Sequence, residues 1–261
     1  MLPAPIQEMV KKVAEEMVRG KKVVALTGAG ISVESGIPPF RGKGGLWERF
    51  DPEEYADISS FRRDPAKVWT MFKEFREVMD QARPNAGHLG LAQLEEMGYL
   101  RAIITQNVDG LHQEAGNKEV VEFHGNNRWL VCQSCRQRFA SRTVSLETLP
   151  PLCHCQGVLK PDAVFFGEPI PLEALYRARE EAFTCKVMLV IGTSAVVYPA
   201  ADMPHLAKAS RARIIEINPE ETSLTHQISD CFVPGTAGQV LPLLVEEVAR
   251  LSGRSLRSEI V

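Results

Sequence analysis

Features that would assign the chain to a special class of protein are absent. No apolar run reaches the length of a membrane-spanning helix, and there are no internal repeats or low-complexity segments. Basic and acidic side chains nearly balance, with a formal net charge of −3. Composition therefore gives no reason to expect a nucleic acid or a membrane surface as a partner. With 261 residues, 44% of them hydrophobic, the chain can hold one large α/β domain and a small insertion.

The N-terminal segment also lacks the continuous apolar core of a signal peptide. Between Met1 and Gly20, charged residues alternate with apolar residues at helical spacing, which predicts an amphipathic helix. We therefore expect a cytoplasmic protein. Disulfides rarely persist in the cytoplasm, so the six cysteines need another explanation.

A third absence concerns a nucleotide-binding fingerprint that is only partly present. Residues 23–26 are apolar and β-branched enough for a buried parallel strand, and Gly28 and Gly30 follow directly. Glycines there let the backbone approach a ligand, and amides at the start of the next helix suit a phosphate. The third glycine and the acidic residue of the dehydrogenase fingerprint are missing. The pattern predicts a strand–turn–helix cradle for a nucleotide, but not a dehydrogenase.

Strands and helices alternate along most of the remaining chain, which predicts an α/β fold with a parallel sheet flanked by helices. Further strands are predicted at 100–105, 120–123, 187–191, 213–217 and 231–233. Helices are predicted from Pro65 onwards and at 85–97, 172–182, 199–209 and 237–251, and a frayed tail at 252–261. Polar residues 106–109 and His124 directly follow two strands, where open α/β sheets bind ligands.

Four cysteines form two pairs that indicate a metal site. Cys132 and Cys135 make one pair, and Cys153 and Cys155 make a shorter one, within a stretch that lacks helical periodicity. Four thiolates in a tetrahedron hold a structural zinc and leave no position open for catalysis. His154 stays an alternative ligand because the second pair is one residue shorter than usual.

Four other candidate residues have a simpler interpretation. Cys185 and Cys231 lie beside or within apolar strands and are interpreted as small buried hydrophobic residues. His88 and His112 are interpreted as histidines at a helix start or on a helix surface, without a catalytic role.

The motifs, taken in order, resemble the sirtuins, the Sir2 family of NAD-dependent protein deacylases, in their prokaryotic form. The resemblance is carried by Gly28–Ser32, Gly36–Gly42, Thr105–His112, Phe123–Gly125, the cysteine pairs, Lys160–Glu168, Gly192–Ser194 and Ile217–Asn218. It implies a large Rossmann-like domain formed by residues of about 1–34, 85–125 and 160–261. It also implies a small domain, made of an inserted zinc ribbon at about 126–159 and a helical segment at about 45–84.

The resemblance further implies two cofactors, NAD and a structural zinc. The first loop would cradle the pyrophosphate, residues 106–109 would line the nicotinamide and ribose pocket, and later loops would hold the adenosine half. Asp109 would recognise the carboxamide. The residues assigned to NAD are Gly28, Ala29, Gly30, Ser32, Phe40, Arg41, Trp47, Gln106, Asn107, Val108, Asp109, Gly192, Thr193, Ser194, Asn218, Pro219, Glu220 and Ala237.

The partner implied by the resemblance is a protein or peptide that carries an acyl-lysine. Residues 164–168 would pair with this peptide as an added strand. His124 is implied as the catalytic general base, since the ordinary pKa of histidine lies near the working pH, and Asn107 is the second residue assigned to catalysis. The residues assigned to the substrate are Val164, Phe166, Gly167, Glu168, Phe72 and Phe75. The products would be lysine, nicotinamide and O-acyl-ADP-ribose.

Two departures from the family pattern decide finer points. The family commonly has an acidic residue where Pro39 stands. Proline removes a carboxylate and an N–H, so the family pattern does not predict the conformation of this loop. Desuccinylases and demalonylases resemble one another in a Tyr-x-x-Arg pair that binds the acyl carboxylate. Phe72 and Phe75 occupy these positions here, which favours acetyl or longer aliphatic groups. Arg76 lies one residue away, and a different register would restore a cation.

Other functions fit parts of the pattern. Mono-ADP-ribosyl transfer or NAD hydrolysis needs the nucleotide pocket but not the substrate strand, and the segment 164–168 argues against both. A non-catalytic zinc-ribbon adaptor or NAD sensor would not need Asn107, Asp109 and His124. We therefore predict an NAD-dependent lysine deacetylase, whose oligomeric state the sequence leaves open and for which a monomer is plausible.

Overall fold

The computed structural model describes residues 2–42 and 44–254 of the chain. The part of the predicted tail beyond Arg254 lies outside the described residues. Within the described ranges, no helix is both long and apolar enough to cross a membrane. The strands are β1 (Val23–Thr27), β2 (Leu100–Thr105), β3 (Val120–Glu122), β4 (Gly125–Cys132), β5 (Arg138–Ala140), β6 (Leu159–Ala163), β7 (Val187–Ile191), β8 (Arg213–Asn218) and β9 (Cys231–Pro234).

Six of these strands form a parallel sheet in the order β3-β2-β1-β7-β8-β9. Every residue of β1 and β7 is buried, as expected where helices cover both faces of a sheet. The order is that of a doubly wound Rossmann fold, and the direction of winding reverses between β1 and β7. Ligands bind at such a reversal, beyond the carboxyl ends of the strands. The predicted α/β fold class is confirmed.

The helices of the described residues flank this sheet or lie beside it. They are α1 (Ala4–Gly20), α2 (Pro52–Tyr55), α3 (Ile58–Arg63), α4 (Pro65–Gln81), α5 (Ala86–Glu96), α6 (Leu111–Glu114), α7 (Leu172–Thr184), α8 (Asp202–Ala209), α9 (Ser223–Gln227) and α10 (Ala237–Ser252). The helices expected from periodicity are present, with bounds within a few residues of those predicted.

The helix expected after the glycine loop is different in type. Residues 29–35 form a 3₁₀ helix rather than an α-helix. It ends at Gly36, whose φ of 88° is left-handed and whose N–H donates to the carbonyl of Val33 at 3.0 Å. Pro38 and Pro39 follow and have no backbone N–H to continue a helix. The chain therefore leaves the cradle after two short turns.

Two apolar cores hold the large sheet. On one face, α1, α5 and α10 contribute Met17, Leu94 and Leu244, all fully buried. On the other face, α7 and α8 contribute small residues such as Ala178 and Ala207, which let these helices lie close to the strands. Each fully buried large aliphatic side chain stabilises the fold by about 2 kcal/mol.

A second, antiparallel sheet has the order β5-β4-β6 and packs on α3 and α4. Trp69 of α4 is buried against it and donates from Nε1 to the carbonyl of Leu159 at 2.8 Å. The chain enters this sheet at Gly125, whose φ is 70°. A Cβ at this position would lie 2.1 Å from the carbonyl oxygen of Asp162, so only glycine fits. The stretch that lacked helical periodicity is thus a small β-structure.

Candidate functional site

A cleft of about 1000 Å³ lies beyond the carboxyl ends of the parallel strands and is also bordered by the segment that follows β6. We call it the central cleft. Most residues assigned from the sequence to NAD, substrate or catalysis line it. These are Gly28, Ala29, Gly30, Phe40, Arg41, Trp47, Phe72, Phe75, Gln106, Asn107, Val108, His124, Val164, Phe166, Gly167, Glu168, Gly192, Thr193, Ser194, Asn218, Pro219 and Glu220. The topology therefore brings together residues far apart in the chain, and their individual roles stay predictions.

The glycines of the cradle serve a packing purpose that the sequence did not indicate. The N–H of Gly30 donates to the carbonyl of Gly192 at 2.8 Å, and that of Gly28 donates to Ile191 at 3.1 Å. A Cβ on Gly30 would lie 2.7 Å from the Cα of Gly192. The loops after β1 and β7 thus touch backbone to backbone. Glycine is needed here for loop contact, besides any approach to a ligand.

Asn107 is held rigidly at the wall of the cleft. Its Nδ2 donates to the carbonyl of Gly28 at 3.1 Å and to Oγ of Ser32 at 3.2 Å, and its N–H donates to Oγ1 of Thr105 at 3.1 Å. The amide nitrogen is therefore engaged by the protein. The side-chain oxygen remains the atom that can meet a ligand.

Ser32 and Asp109 do not line the cleft but lie directly behind Asn107. The hydroxyl of Ser32 donates to Oδ2 of Asp109 at 2.8 Å, while Oδ1 accepts from the N–H of Leu111 at 2.9 Å. Burial raises the pKa of Asp109, and the two hydrogen bonds oppose that shift. The carboxylate of Asp109 is thus engaged by Ser32 and Leu111, and direct recognition of a carboxamide by Asp109 stays a prediction.

Ala237, the third assigned residue away from the cleft, is buried at the start of α10. The carboxylate of Glu34 occupies this helix end. It accepts from Oγ1 of Thr236 at 3.0 Å and from the N–H of Gly238 at 2.8 Å. The helix dipole is therefore compensated by a side chain of the protein itself. Nothing in the sequence pattern distinguished Glu34 from a surface carboxylate.

His124 stands between β3 and β4 at the wall of the cleft. Its Nδ1 lies 3.2 Å from the carbonyl oxygen of Gln106. A carbonyl only accepts, so Nδ1 carries the proton and Nε2 keeps its lone pair. Burial lowers the pKa of His124, and the bond to Gln106 partly offsets the shift. The imidazole is therefore neutral at pH 7 and can take up a proton at Nε2.

His88 and His112 lie at helix starts as predicted, in the first turns of α5 and α6, but the alternative of a helix surface is wrong, because both are almost completely buried behind the cradle. Their rings lie 5.0 Å apart. Burial lowers the pKa of His88 to about 4 and that of His112 well below its ordinary value. Nδ1 of His88 accepts from the N–H of Asn85 at 3.4 Å, and Nε2 of His112 lies 2.9 Å from Oγ1 of Thr27. His88 lies one helical turn before the buried Leu91 on α5, and His112 follows the buried Leu111 on α6, so both histidines belong to the buried sides of their helices.

The side of the cleft that the sequence assigned to the adenosine half of NAD is held together by amide side chains. Asn218 donates from Nδ2 to the carbonyl of Thr193 at 3.0 Å. Gln106 donates from Nε2 to Oγ1 of Thr193 at 3.0 Å. The ends of β2, β7 and β8 are therefore cross-linked by hydrogen bonds at the place where the winding of the sheet reverses.

Aromatic side chains form the opposite side of the cleft. The ring of Phe40 lies 5.3 Å from that of Trp47 and 6.1 Å from that of Phe75. Phe72 stacks on Phe165 with centroids 5.3 Å apart and an interplanar angle of 15°. The carbonyl of Pro39 accepts from the N–H of Leu46 at 2.8 Å, which closes the loop that carries Phe40.

Arg76, the cation that a different register would have placed in this wall, does not line the cleft. Its Nη1 donates to the carbonyl of Val144 at 3.0 Å, and its Nε lies 3.7 Å from Oδ2 of Asp80. Met71 and Leu46 line the cleft instead, and both are buried apolar residues. Met71 could have been found from the sequence, because it lies one helical turn before Phe75 on α4.

The four paired cysteines form a cluster whose sulfur atoms all lie within 4.8 Å of one another. The Sγ atoms of Cys132 and Cys155 are 3.5 Å apart, and those of Cys135 and Cys153 are 3.6 Å apart. A tetrahedral zinc with Zn–S bonds of 2.3 Å requires sulfur separations of about 3.8 Å, so the cluster fits this ion. His154 packs edge-on against Phe139 and is not part of the cluster.

Backbone N–H groups, first that of Cys135, lower the pKa of the Cys132 thiol to about 6, whereas the sulfur atoms of Cys155 and Cys132 raise that of Cys135 to about 12, so without a metal ion the first thiolate of the cluster forms at Cys132. The other two cysteines lie elsewhere. Cys185 is buried as expected, and burial raises the pKa of its thiol to about 12. Cys231 is only half-buried, because β9 is an edge strand of the large sheet.

Comparisons with known proteins agree with this geometry. A model described as "Sir2 family" matches residues 28–199. An "NAD-dependent protein deacylase 2" of Pyrobaculum aerophilum is 52% identical over 239 residues, which cover 91% of this chain and 95% of the relative. A solved Sir2 homolog–NAD complex is 45% identical, has a TM-score of 0.86, and covers 92% of this chain and 94% of its own. A Sir2 structure with deacetylated p53 peptide and 3′-O-acetyl ADP-ribose is 35% identical, with a TM-score of 0.86 and coverages of 94% and 99%.

Proposed function

This chain belongs to the Sir2 family, and we propose that it removes acyl groups, acetyl foremost, from protein lysines while consuming NAD. The products are lysine, nicotinamide and O-acyl-ADP-ribose. One observation carries the proposal. A single cleft holds His124 and Asn107 together with the glycine cradle and the segment 164–168. Similar proteins named as NAD-dependent protein deacylases support it.

The residues of the cleft suit NAD in size and chemistry. The volume of about 1000 Å³ is at the upper end for ligand pockets and leaves room for a dinucleotide beside a lysine side chain. Bound NAD supplies the ribose carbon that accepts the acyl oxygen as nicotinamide leaves. Phe40 and Trp47 shield this region from water, and Asn107 presents its side-chain oxygen in a fixed position. Because an acyl oxygen is a weak nucleophile, a dry and aligned pocket contributes more than a strong base would.

His124 is the general base of the proposal. Its Nε2 lone pair faces no protein donor in the described contacts, and the bond from Nδ1 to Gln106 fixes the ring. A neutral imidazole in this position takes a proton from a ribose hydroxyl, so that the hydroxyl oxygen can attack the acyl carbon. The lowered pKa of His124 keeps the base form populated at neutral pH.

The acyl-lysine peptide is proposed to add as a strand beside residues 164–168. The N–H of Val164 donates to the carbonyl of His124 at 2.9 Å. The N–H of Phe166 donates to Ala56 at 2.9 Å, and its carbonyl accepts from Ile58 at 3.0 Å. This extended segment is therefore held by the protein on one side, which supports pairing of a substrate backbone with its remaining edge.

The lining of the cleft supports an uncharged acyl group. Phe72 and Phe75 line it, whereas the guanidinium of Arg76 donates to the carbonyl of Val144, outside the cleft. A succinyl or malonyl carboxylate would therefore enter an apolar wall without a cation, at a large desolvation cost. Acetyl and longer aliphatic groups carry no such charge. This contact of Arg76 argues against the desuccinylase alternative.

Zinc is proposed to be structural, held by Cys132, Cys135, Cys153 and Cys155, with no free coordination position for chemistry. We also retain the two-domain division, with residues of about 126–159 and 45–84 in the small domain. The shared core of Trp69, Leu130 and Leu159 supports it. Four reduced thiols suit a reducing compartment such as the cytoplasm, and the proposed site is complete within one chain.

The test is a panel of acetyl-, butyryl- and succinyl-lysine peptides of one sequence, each incubated with and without NAD. We expect NAD-dependent release of acetyl and butyryl groups, with much slower turnover of succinyl. Equal amounts of nicotinamide and free lysine should form. If NAD binds but no peptide is deacylated, the proposal is wrong.

Mono-ADP-ribosyl transfer remains the second candidate, because it uses the same nucleotide pocket. Isotope-labelled NAD separates the two reactions. Label that stays with a small O-acyl product supports deacylation, whereas label that becomes attached to protein supports ADP-ribosyl transfer.

A further inference from the structure

Lys160 is a buried cation that neither the cysteine site nor the general base explains. The residue is 5% exposed, although lysine is rarely buried without a partner. Its Nζ donates to Ala163 at 2.6 Å, to Oε2 of Glu168 at 2.9 Å and to Pro161 at 3.1 Å. An ammonium group has three protons, so all of its donors are satisfied.

The partner Glu168 closes the end of the substrate segment. Its Oε2 accepts from the N–H of Phe165 at 2.9 Å, and its own N–H donates to the carbonyl of Phe165 at 3.0 Å. Between them Gly167 adopts a left-handed φ of 81°, which turns the chain. The sequence assigned Glu168 to the substrate, whereas its carboxylate is engaged within the protein and shapes the segment from 165 to 168.

Lys160 also touches the wall of the acyl pocket. Its Nζ lies 4.2 Å from the ring centroid of Phe165, within the range of a cation–π contact. That ring stacks on Phe72 at 5.3 Å, and both rings line the central cleft. One ammonium group thus holds both the backbone that would pair with a peptide and the ring that would border its acyl chain.

From these contacts we propose that Lys160 is a positioning residue for the acyl-lysine substrate, acting through Glu168 and Phe165. The inference rests on the proposed function, since it concerns the substrate side of that same cleft. The side chain of Lys160 is 6% exposed and that of Glu168 is 23% exposed, so the pair costs desolvation free energy mainly at the ammonium group, and an apolar pair of similar volume often stabilises a protein equally well. The charge pair instead fixes the position of the segment that follows β6. The three acceptors of Nζ lie on Pro161, Ala163 and Glu168, so one ammonium group holds both ends of that segment.

The experiment measures KM for an acetyl-lysine peptide and for NAD in Lys160→Met, Lys160→Arg and Glu168→Gln. We expect about a tenfold rise of the peptide KM in Lys160→Met, the size of a lost hydrogen bond to a charged group. The KM for NAD should stay within about twofold, since the cradle lies on other loops. Lys160→Arg keeps the cation and should restore part of the peptide affinity. In the double variant Lys160→Met/Glu168→Gln, the rise of the peptide KM should be smaller than the product of the two single rises, because both substitutions remove the same ion pair.

Arg138→Ala is the matched control. It removes an exposed ion pair with Asp162 from the same small sheet and should leave both KM values unchanged. Thermal unfolding shows whether each variant is folded, and if Lys160→Met is not, Glu168→Gln and Lys160→Arg decide. Unchanged peptide KM in the folded variants overturns the inference, as does an equal rise of both KM values. Absence of deacylation by the wild type would instead contradict the proposed function.

Discussion

The six-stranded and the three-stranded sheet both border the central cleft, yet different forces hold them. The large sheet has central strands that are buried throughout and two apolar cores. The small sheet has the short strand β5, an exposed Arg138 and one core shared with α3 and α4. Besides this shared core, the small sheet has the cysteine cluster, which includes the last residue of β4. The large sheet is thus stabilised by burial, whereas we expect the small sheet to depend on a metal ion.

Removing zinc is the strongest way to test this difference. Treatment with a chelator, or Cys132→Ser, should abolish deacylation, with a loss of more than about a thousandfold, because the substrate segment loses its support. NAD binding, measured by calorimetry, should change by less than about threefold.

Cys231→Ala is the control for the zinc experiment, because this half-buried cysteine lies on β9 of the large sheet. Its activity should equal that of the wild type. If NAD affinity fell together with activity after zinc removal, the two sheets would not be separately stabilised.

The second prediction concerns the position where the two sheets meet. His124→Ala should lower kcat by about 10²–10⁴-fold, the usual contribution of a general base, and leave NAD binding intact. His226, on the surface with 71% of its side chain exposed, provides the matched control, and His226→Ala should keep full activity. Full turnover by His124→Ala would remove His124 from the mechanism.

The third prediction concerns how the stability of the fold depends on pH through His88, which lies on α5. His88 has a pKa of about 4 when folded and 6.5 in its ordinary state, so the unfolded chain binds more protons between these values. The free energy of unfolding must therefore decrease as the pH falls through this window. The pKa of His112 is also lowered, so His112 contributes to the free energy of unfolding with the same sign. The pKa of Asp109 is raised, so its contribution has the opposite sign.

Between pH 7 and pH 5, His88 should cost the wild type about 2 kcal/mol of stability that His88→Gln does not lose. Urea unfolding at both pH values measures this difference. Protonation of the zinc thiolates affects both proteins alike and cancels, and His226→Gln should behave as the wild type. Equal losses in His88→Gln and the wild type would contradict the assignment.

The smallest effect is expected for a substitution of Arg76 on α4. Arg76→Ala removes the bond to the Val144 carbonyl and should cost about 1 kcal/mol of stability. The ratio of acetyl to succinyl turnover should change by less than twofold, since Arg76 is not at the cleft. A selective loss of succinyl turnover would instead assign the carboxylate to Arg76.

The parallel sheet could be predicted because its strands are short apolar runs that end at polar residues, as at Thr105 and Gln106. The cysteine cluster followed from spacing alone. Burial from several sides could not be predicted. The rings of His88 on α5 and His112 on α6 lie 5.0 Å apart, and neither local pattern encodes this packing of two separate helices.

Contacts between side chains that are far apart in sequence could not be predicted either. Glu34 caps α10 across 204 positions, and nothing near Glu34 indicates it. Glu168 was assigned to the substrate and Lys160 had no assigned role, because the contact between their side chains depends on how the chain turns at Gly167. The residues that line the cleft were found more readily than the residues behind it, since lining residues follow strand ends.

A short series of bonds runs through His124. Its ring donates to the carbonyl of Gln106, and its own carbonyl accepts from Val164, so the loop after β2 and the segment after β6 meet on one residue. We expect a shift of either segment on ligand binding to act on the other through these two bonds. Binding of the nucleotide and of the peptide should then be thermodynamically linked, each changing the dissociation constant of the other by the same factor.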